Sequence, residues 1–111
     1  MAFSRVCSLD DLWEGDMSVF EVGGTEVLVA HLDGGIVRAT QAYCPHQRVA
    51  LVEGDLYRTT LTCSQHLWEF DLVTCRGINP DHAEIANYPV EIRGEEVFVD
   101  PDGDSPKTAR P

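Results

Sequence analysis

Two short cysteine–histidine pairs constrain this 111-residue chain more than any other feature. The first pair is Cys44 and His46, the second is Cys63 and His66, and sixteen residues separate the pairs. One intervening residue lets two side chains of an extended backbone point the same way, and two intervening residues do so across a tight turn. Two such turns facing each other would form a pocket of two sulfurs and two nitrogens. Iron and zinc both accept this ligand set.

Three kinds of chemistry are compatible with these residue types. Structural zinc would draw all four side chains around one ion and need nothing else. A two-iron cluster would need the same side chains together with shielding from water, and the aromatic and proline residues that flank the pairs favour it. Cys–His nucleophilic catalysis would use one pair and leave the other unexplained. The pattern favours the cluster, with zinc as the main alternative.

The residues around the pairs resemble the Rieske [2Fe–2S] family, in which two His and two Cys hold the cluster. His66 is followed by Leu-Trp-Glu-Phe-Asp, similar to the aromatic and acidic run after the second Rieske loop. The run from Gly77 to Pro80 stands where these domains place a proline loop over the cluster. Residues 3–13 and 88–92 are similar to the ferredoxins of bacterial toluene or benzene monooxygenases. The resemblance implies four cluster ligands: Cys44, His46, Cys63 and His66.

The same resemblance implies an electron carrier that catalyses nothing alone. Single electrons would pass from an NADH-dependent reductase to the di-iron hydroxylase of an aromatic hydrocarbon monooxygenase. Alternative functions are the ferredoxin of an aromatic ring-hydroxylating dioxygenase, the small Rieske subunit of a nitrite-reductase-type enzyme, and a zinc-stabilised binding module. In the family the imidazole edges face solvent, so His46 and His66 are the expected electron-exchange surface. Its expected surroundings are Gln47, Gln65, Trp68 and Pro80.

The neighbours of the two pairs predict a low reduction potential. High-potential Rieske proteins carry two further Cys joined by a disulfide, and hydroxyl groups beside the cluster. The corresponding positions here are Val49 and Gln65, and Trp68 brings no hydroxyl. We therefore expect a potential of roughly −150 mV, at the low end of the Rieske range. Trp68 has two interpretations, a place at the electron-exchange surface or packing beneath the loop.

The charge balance disfavours two classes of partner. Lys and Arg total 8 against 19 Asp and Glu, which gives a formal net charge of −11. Nucleic acid and anionic membranes both need a basic surface. The acidic residues either steer the protein to basic patches on partner proteins or only keep it in solution. The absence of a long apolar run and of a secretory pattern at the N-terminus predicts a cytoplasmic protein, which we expect to be a monomer when free.

Two of the four cysteines, Cys7 and Cys75, remain outside the motif. Both are expected to be ordinary buried thiols. Cys75 follows Thr74 where many Rieske proteins have Thr-Gly in a turn, so the backbone geometry of this turn stays open. Trp13 is expected to anchor the core.

Short β-branched runs between glycine turns predict an all-β fold. Continuous strands are expected over residues 56–62 and 86–92, among others. The whole is expected to be one Rieske-type domain over residues 1–100, an antiparallel β-sandwich or barrel with a small cluster-binding subdomain at about 43–82. The polar, proline-containing residues 101–111 predict a frayed tail.

Overall fold

The computed structural model describes residues 3–46, 48–65 and 67–108. Within these residues the chain forms short β-strands and two 3-10 turns, Leu9–Asp11 and Leu51–Glu53. The strands are β1 (Ser4–Ser8), β2 (Met17–Val22), β3 (Thr25–His31), β4 (Val37–Gln41), β5 (Asp55–Tyr57), β6 (Thr60–Thr62), β7 (Glu69–Asp71), β8 (Arg76–Asn79), β9 (Asn87–Tyr88), β10 (Val90–Arg93) and β11 (Glu96–Val99).

The strands build three antiparallel sheets. The first sheet has the order β1-β11-β10, the second β2-β3-β4-β9, and the third β5-β6-β7-β8. Each neighbouring pair of these strands runs antiparallel. The expected all-β antiparallel fold is therefore confirmed. The third sheet corresponds to the expected small subdomain, since its strands lie between residues 55 and 79.

Strand β3 is buried on both of its faces. Its residues Val27, Leu28, Val29 and Ala30 are each at most 1% exposed. Val27 and Val29 pack in one cluster with the valines of β11, whereas Leu28 and Ala30 pack in another with the third sheet. A strand that is covered on both faces typically has a continuous run of apolar residues, without alternation of apolar and polar side chains. The second sheet is thus the middle layer against which the third sheet is positioned.

Two of the expected continuous strands are divided in the structure. Residues 56–62 form the hairpin β5–β6, because Arg58 adopts a left-handed φ of 57° and reverses the chain. Residues 86–92 divide at Pro89, where β9 pairs with β4 and β10 pairs with β11. Proline lacks the N–H that would continue a ladder, so the chain changes sheets at this residue.

The expectation that Trp13 anchors the core is wrong. Its side chain is 71% exposed, and its indole Nε1 donates to the carbonyl of Asp10 at 2.9 Å. This hydrogen bond holds the ring on the outside of the first 3-10 turn. The neighbouring Leu12, which is 2% exposed, occupies the core position instead.

The C-terminal residues differ from the expected frayed tail. The Asp104 carboxylate accepts the N–H of Asn87 at 3.0 Å and the Lys107 ammonium at 2.8 Å. The main chain of Lys107 is bonded to the side chain of Gln41. These contacts hold residues 104–108, called the C-terminal strap below, against the second sheet; residues 109–111 lie outside the described residues. No helix among the described residues is long and apolar enough to cross a membrane.

Candidate metal centre

The two cysteines of the motif begin loops of identical length. In the first Cys loop (residues 44–49) the N–H of Cys44 donates to the carbonyl of Val49 at 2.9 Å. In the second Cys loop (residues 63–68) the N–H of Cys63 donates to the carbonyl of Trp68 at 2.7 Å. Each loop is therefore closed five residues after its cysteine. The first loop continues β4, and the second joins β6 to β7.

The two loops bring their thiols together inside the protein. Cys44 is 6% exposed and Cys63 is 1% exposed, and neither forms a disulfide. Burial raises the pKa of Cys63, the backbone N–H of Gln65 lowers it by hydrogen bonding to the sulfur, and the adjacent Cys44 thiol raises it again. Two thiolates this close and this buried would be unstable without a positive partner.

The ring of His46 lies flat against the indole of Trp68. The centroids are 4.4 Å apart and the planes differ by 5°. Trp68 is 8% exposed, so it packs beneath the first Cys loop and does not lie on the surface. Of its two interpretations, the structure supports packing. On another side, the indole meets the ring of the exposed His82 edge-on, at 5.8 Å and 76°.

The proline loop folds back on the third sheet. Gly77 donates its N–H to Ala83 at 2.7 Å. A Cβ on Gly77 would lie 2.1 Å from the carbonyl oxygen of Pro80, so only glycine fits there. Pro80 itself is half-buried, and Gln65 is exposed at the tip of the second Cys loop.

Two of the predicted site residues, Gln47 and His66, lie outside the described residues. The structure therefore shows the predicted ligands Cys44, His46 and Cys63 but not the fourth. In the described part of the chain, no group of three or more His, Cys, Asp or Glu side chains is placed to hold a metal ion.

The cysteines outside the motif are buried free thiols, as expected. Burial raises the pKa of Cys7, and it raises the pKa of Cys75 to about 11. Cys75 adopts a left-handed φ of 60°, so this turn keeps the backbone conformation that glycine would favour.

The sequence did not single out Gln41, although its side chain forms four hydrogen bonds near the site. Its carboxamide makes hydrogen bonds to Tyr43, Ala86 and both main-chain groups of Lys107. No sequence pattern distinguishes Gln41 from the other polar residues of β4, Arg38 and Thr40.

The chemistry of the pocket fits a two-iron cluster. If its shielded, adjacent sulfurs are ionised, they need a positively charged group beside them, which two ferric irons with two sulfides would provide. The N–H of Gln65 directed at the Cys63 sulfur is the kind of donor that tunes such a group. The sulfurs of Cys44 and Cys63, with the His46 ring in the adjoining loop, are the donor types that such a cluster takes.

Comparison with known proteins agrees with this chemistry. The family described as the Rieske [2Fe-2S] domain matches residues 2–89. The ferredoxin component of the alkene monooxygenase system of Xanthobacter autotrophicus is 41% identical over 95 residues, which cover 85% of this chain and 77% of that protein. The ferredoxin component of biphenyl 2,3-dioxygenase of Rhodococcus jostii is 35% identical over 104 residues, which cover 93% of this chain and 96% of that protein.

Solved structures show the same architecture. The ferredoxin of carbazole 1,9a-dioxygenase from Nocardioides aromaticivorans has a TM-score of 0.84 at 30% identity, covering 92% of this chain and 100% of that chain. A chain of the complex of reduced oxygenase and oxidized ferredoxin in carbazole 1,9a-dioxygenase has a TM-score of 0.79 at 26% identity, and the match covers 87% of this chain and 91% of that chain.

Proposed function

Because this chain belongs to the Rieske [2Fe–2S] domain family and carries that family's single cluster, we propose that it delivers electrons to a hydrocarbon monooxygenase. Like the ferredoxin components to which it is similar, it is an electron-transfer component and not the catalyst. In this proposal it takes single electrons from an NADH-dependent reductase and passes them to a di-iron hydroxylase in the cytoplasm. The observation that carries the proposal is the pair of buried, adjacent thiols, each at the first residue of one of two loops of equal length.

The proposed ligands are Cys44 and Cys63 through sulfur and His46 and His66 through nitrogen. When bound, the cluster supplies one-electron chemistry, at a potential raised by imidazole ligands because they add no negative charge. The protein's own contribution is to exclude water from the sulfurs and to hold the ligands in place. Trp68 fixes the plane of the His46 ring by stacking, and the Gln65 N–H stabilises negative charge on the Cys63 sulfur.

The expected partner surface surrounds the half-buried His46 and the exposed Gln65. A relative with the same fold has been solved in complex with its oxygenase, which supports an oxygenase as one partner of this chain. Electron-transfer contacts of this kind are usually small and short-lived. The formal net charge of −11 would speed the encounter with a basic partner, so added salt should slow electron delivery.

The substrate class is proposed from the relatives. Aromatic hydrocarbons were the expectation from sequence, and the alkene monooxygenase relative at 41% identity widens this to unsaturated hydrocarbons in general. A ring-hydroxylating dioxygenase is the second candidate partner. The biphenyl dioxygenase ferredoxin is 35% identical over 93% of this chain, and the carbazole dioxygenase ferredoxin has a TM-score of 0.84.

The decisive experiment has two stages. The purified protein should be coloured and contain iron and acid-labile sulfide in equal amounts; a colourless protein that binds zinc would refute the cluster. The holoprotein is then mixed with an NADH-dependent reductase and either a di-iron hydroxylase or a dioxygenase oxygenase component. Product formation with the hydroxylase supports the proposal, and turnover with the dioxygenase alone favours the second candidate.

A further inference from the structure

Gln41 connects three parts of the chain that are distant in sequence. Its Nε2 donates to the carbonyl of Tyr43 at 2.8 Å and to that of Lys107 at 3.0 Å. Its Oε1 accepts the N–H of Ala86 at 2.8 Å and that of Lys107 at 2.7 Å. Both donors and both acceptor positions of the carboxamide are therefore used. The side chain is 3% exposed, so each of these bonds would be costly to leave unmade.

One of these partners adjoins the site. Tyr43 immediately precedes Cys44, and it is bridged to Ala50 across the base of the first Cys loop. The bond from Gln41 to the Tyr43 carbonyl thus fixes the backbone where the chain enters this loop. The two bonds to Lys107 attach the C-terminal strap at the same point.

The strap forms one wall of a cavity beside the site. This cavity has a volume of about 550 Å³. Cys44, Pro45 and His46 line it on one side, and residues 106–108 line it on another. The strap is anchored a second time through Asp104, which accepts the N–H of Asn87. The strap therefore narrows the approach from solvent to this side of Cys44.

We propose that Gln41 is a positioning residue that fastens the C-terminal strap over the Cys44 side of the cluster. The strap limits the access of water and of chelators to this side, and Gln41 sets its position. This inference rests on the proposed assignment of Cys44 as a ligand. Removing a group that bonds a metal ligand directly typically changes metal affinity by about 10–100-fold. Gln41 acts through the residue before Cys44, so we expect an effect at the lower end of this range.

Removing the strap should also change the reduction potential in a defined direction. Reduction adds one negative charge to the site, and water stabilises that charge better than a protein wall does. Solvent exposure is among the factors that set the potential of iron–sulfur centres. Loss of the strap should therefore raise the potential and accelerate the release of iron.

The test compares three variants as purified holoproteins. The first ends after Ser105 and lacks the strap's contact with Gln41. The second, Gln41→Leu, keeps the full chain but removes all four hydrogen bonds. The third, Lys107→Ala, is the matched control, because Gln41 binds only the main chain of Lys107. The measurements are the reduction potential and the rate at which a chelator removes iron.

We expect the truncated protein and Gln41→Leu to have a raised potential and about tenfold faster iron release, while Lys107→Ala matches the unaltered protein in both. Unchanged potential and release in the first two variants would overturn the proposal. Equal effects of Lys107→Ala and the truncation would also overturn it, since the lysine side chain would then be responsible. A preparation of the unaltered protein without iron would instead refute the proposed function.

Discussion

The two Cys loops close in the same way but are supported in different ways. The second loop rests on its own neighbourhood, because the strands that flank it, β6 and β7, pair directly with each other and Trp68 lies buried at its end. The first loop has a local bridge of its own, between Tyr43 and Ala50. It depends on distant residues as well, since Gln41 ties the entry of the loop to Lys107, 66 residues after Gln41. A local loop and a long-range loop thus meet at one pair of sulfurs. The base of the second loop is held by neighbouring strands, whereas the first loop also needs contacts from the C-terminal strap.

The largest effect, loss of the cluster, is expected from replacing the cysteine that begins either loop. Cys44→Ser and Cys63→Ser should each eliminate the visible absorbance and the bound iron of the purified protein, because in the proposed site each loop supplies one of two thiolates. Cys7→Ala is the matched control, since Cys7 is equally buried but packs in the other core cluster. A serine variant that kept its full iron content would remove that cysteine from the proposed site.

The difference in support predicts unequal losses of stability. Trp68→Leu should lower the free energy of unfolding by about 2–3 kcal/mol, because a buried ring and its stacking on His46 are lost. Trp68→Phe keeps an aromatic ring and should lose roughly half as much. At the entry of the first loop, Tyr43→Leu should lower the free energy of unfolding by under about 1 kcal/mol, because the ring of Tyr43 is only half-buried. Denaturant unfolding measures all three, and equal losses at both positions would contradict this comparison.

A sequence reveals what is local more readily than what is long-range. The motif pairs are a few residues apart, so their spacing alone predicted thiols and imidazoles in two facing turns. Residue spacing cannot predict the hydrogen bonds of Gln41 to residues 86 and 107, because these residues are distant in sequence. The C-terminal residues were therefore expected to be a frayed tail. The turn at Arg58 was missed because it has a left-handed backbone without glycine. Trp13 was misplaced because one hydrogen bond to the backbone holds it outside the core.

Substitutions at Cys75 measure the conformational free energy of a turn that has a left-handed residue other than glycine. With its φ of 60°, Cys75→Gly should be more stable than Cys75→Ala by about 1 kcal/mol, because only glycine adopts this conformation freely. Both variants remove the buried thiol, so their difference isolates the backbone term. The midpoints of denaturant unfolding give this difference. An alanine variant as stable as the glycine variant would mean that the turn is not strained.

The smallest expected effect concerns the strap's second anchor. The Lys107 ammonium, the Asn87 N–H and the Ser105 N–H hold the pKa of Asp104 below its ordinary value. Since the folded-state pKa is the lower one, this carboxylate stabilises the fold at pH values above the ordinary Asp pKa. That contribution is lost as the pH falls through the lowered value.

Titration of the Asp104 carboxyl carbon by NMR measures this shift. Lys107→Ala should move the pKa of Asp104 back towards the ordinary value of about 3.9, while the main-chain bonds to Gln41 keep the strap in place. Titration of Asp104 at the ordinary value in the unaltered protein would show that this anchor does not form in solution.

The central claim is that one cysteine and one histidine from each loop hold a single two-iron centre. Electron–nuclear double resonance of the reduced protein, labelled with ¹⁵N only in histidine, tests it most directly. The account predicts couplings from two histidine nitrogens, with one of them lost in a cluster-containing His46→Cys variant. A reduced centre without any histidine coupling would contradict the account.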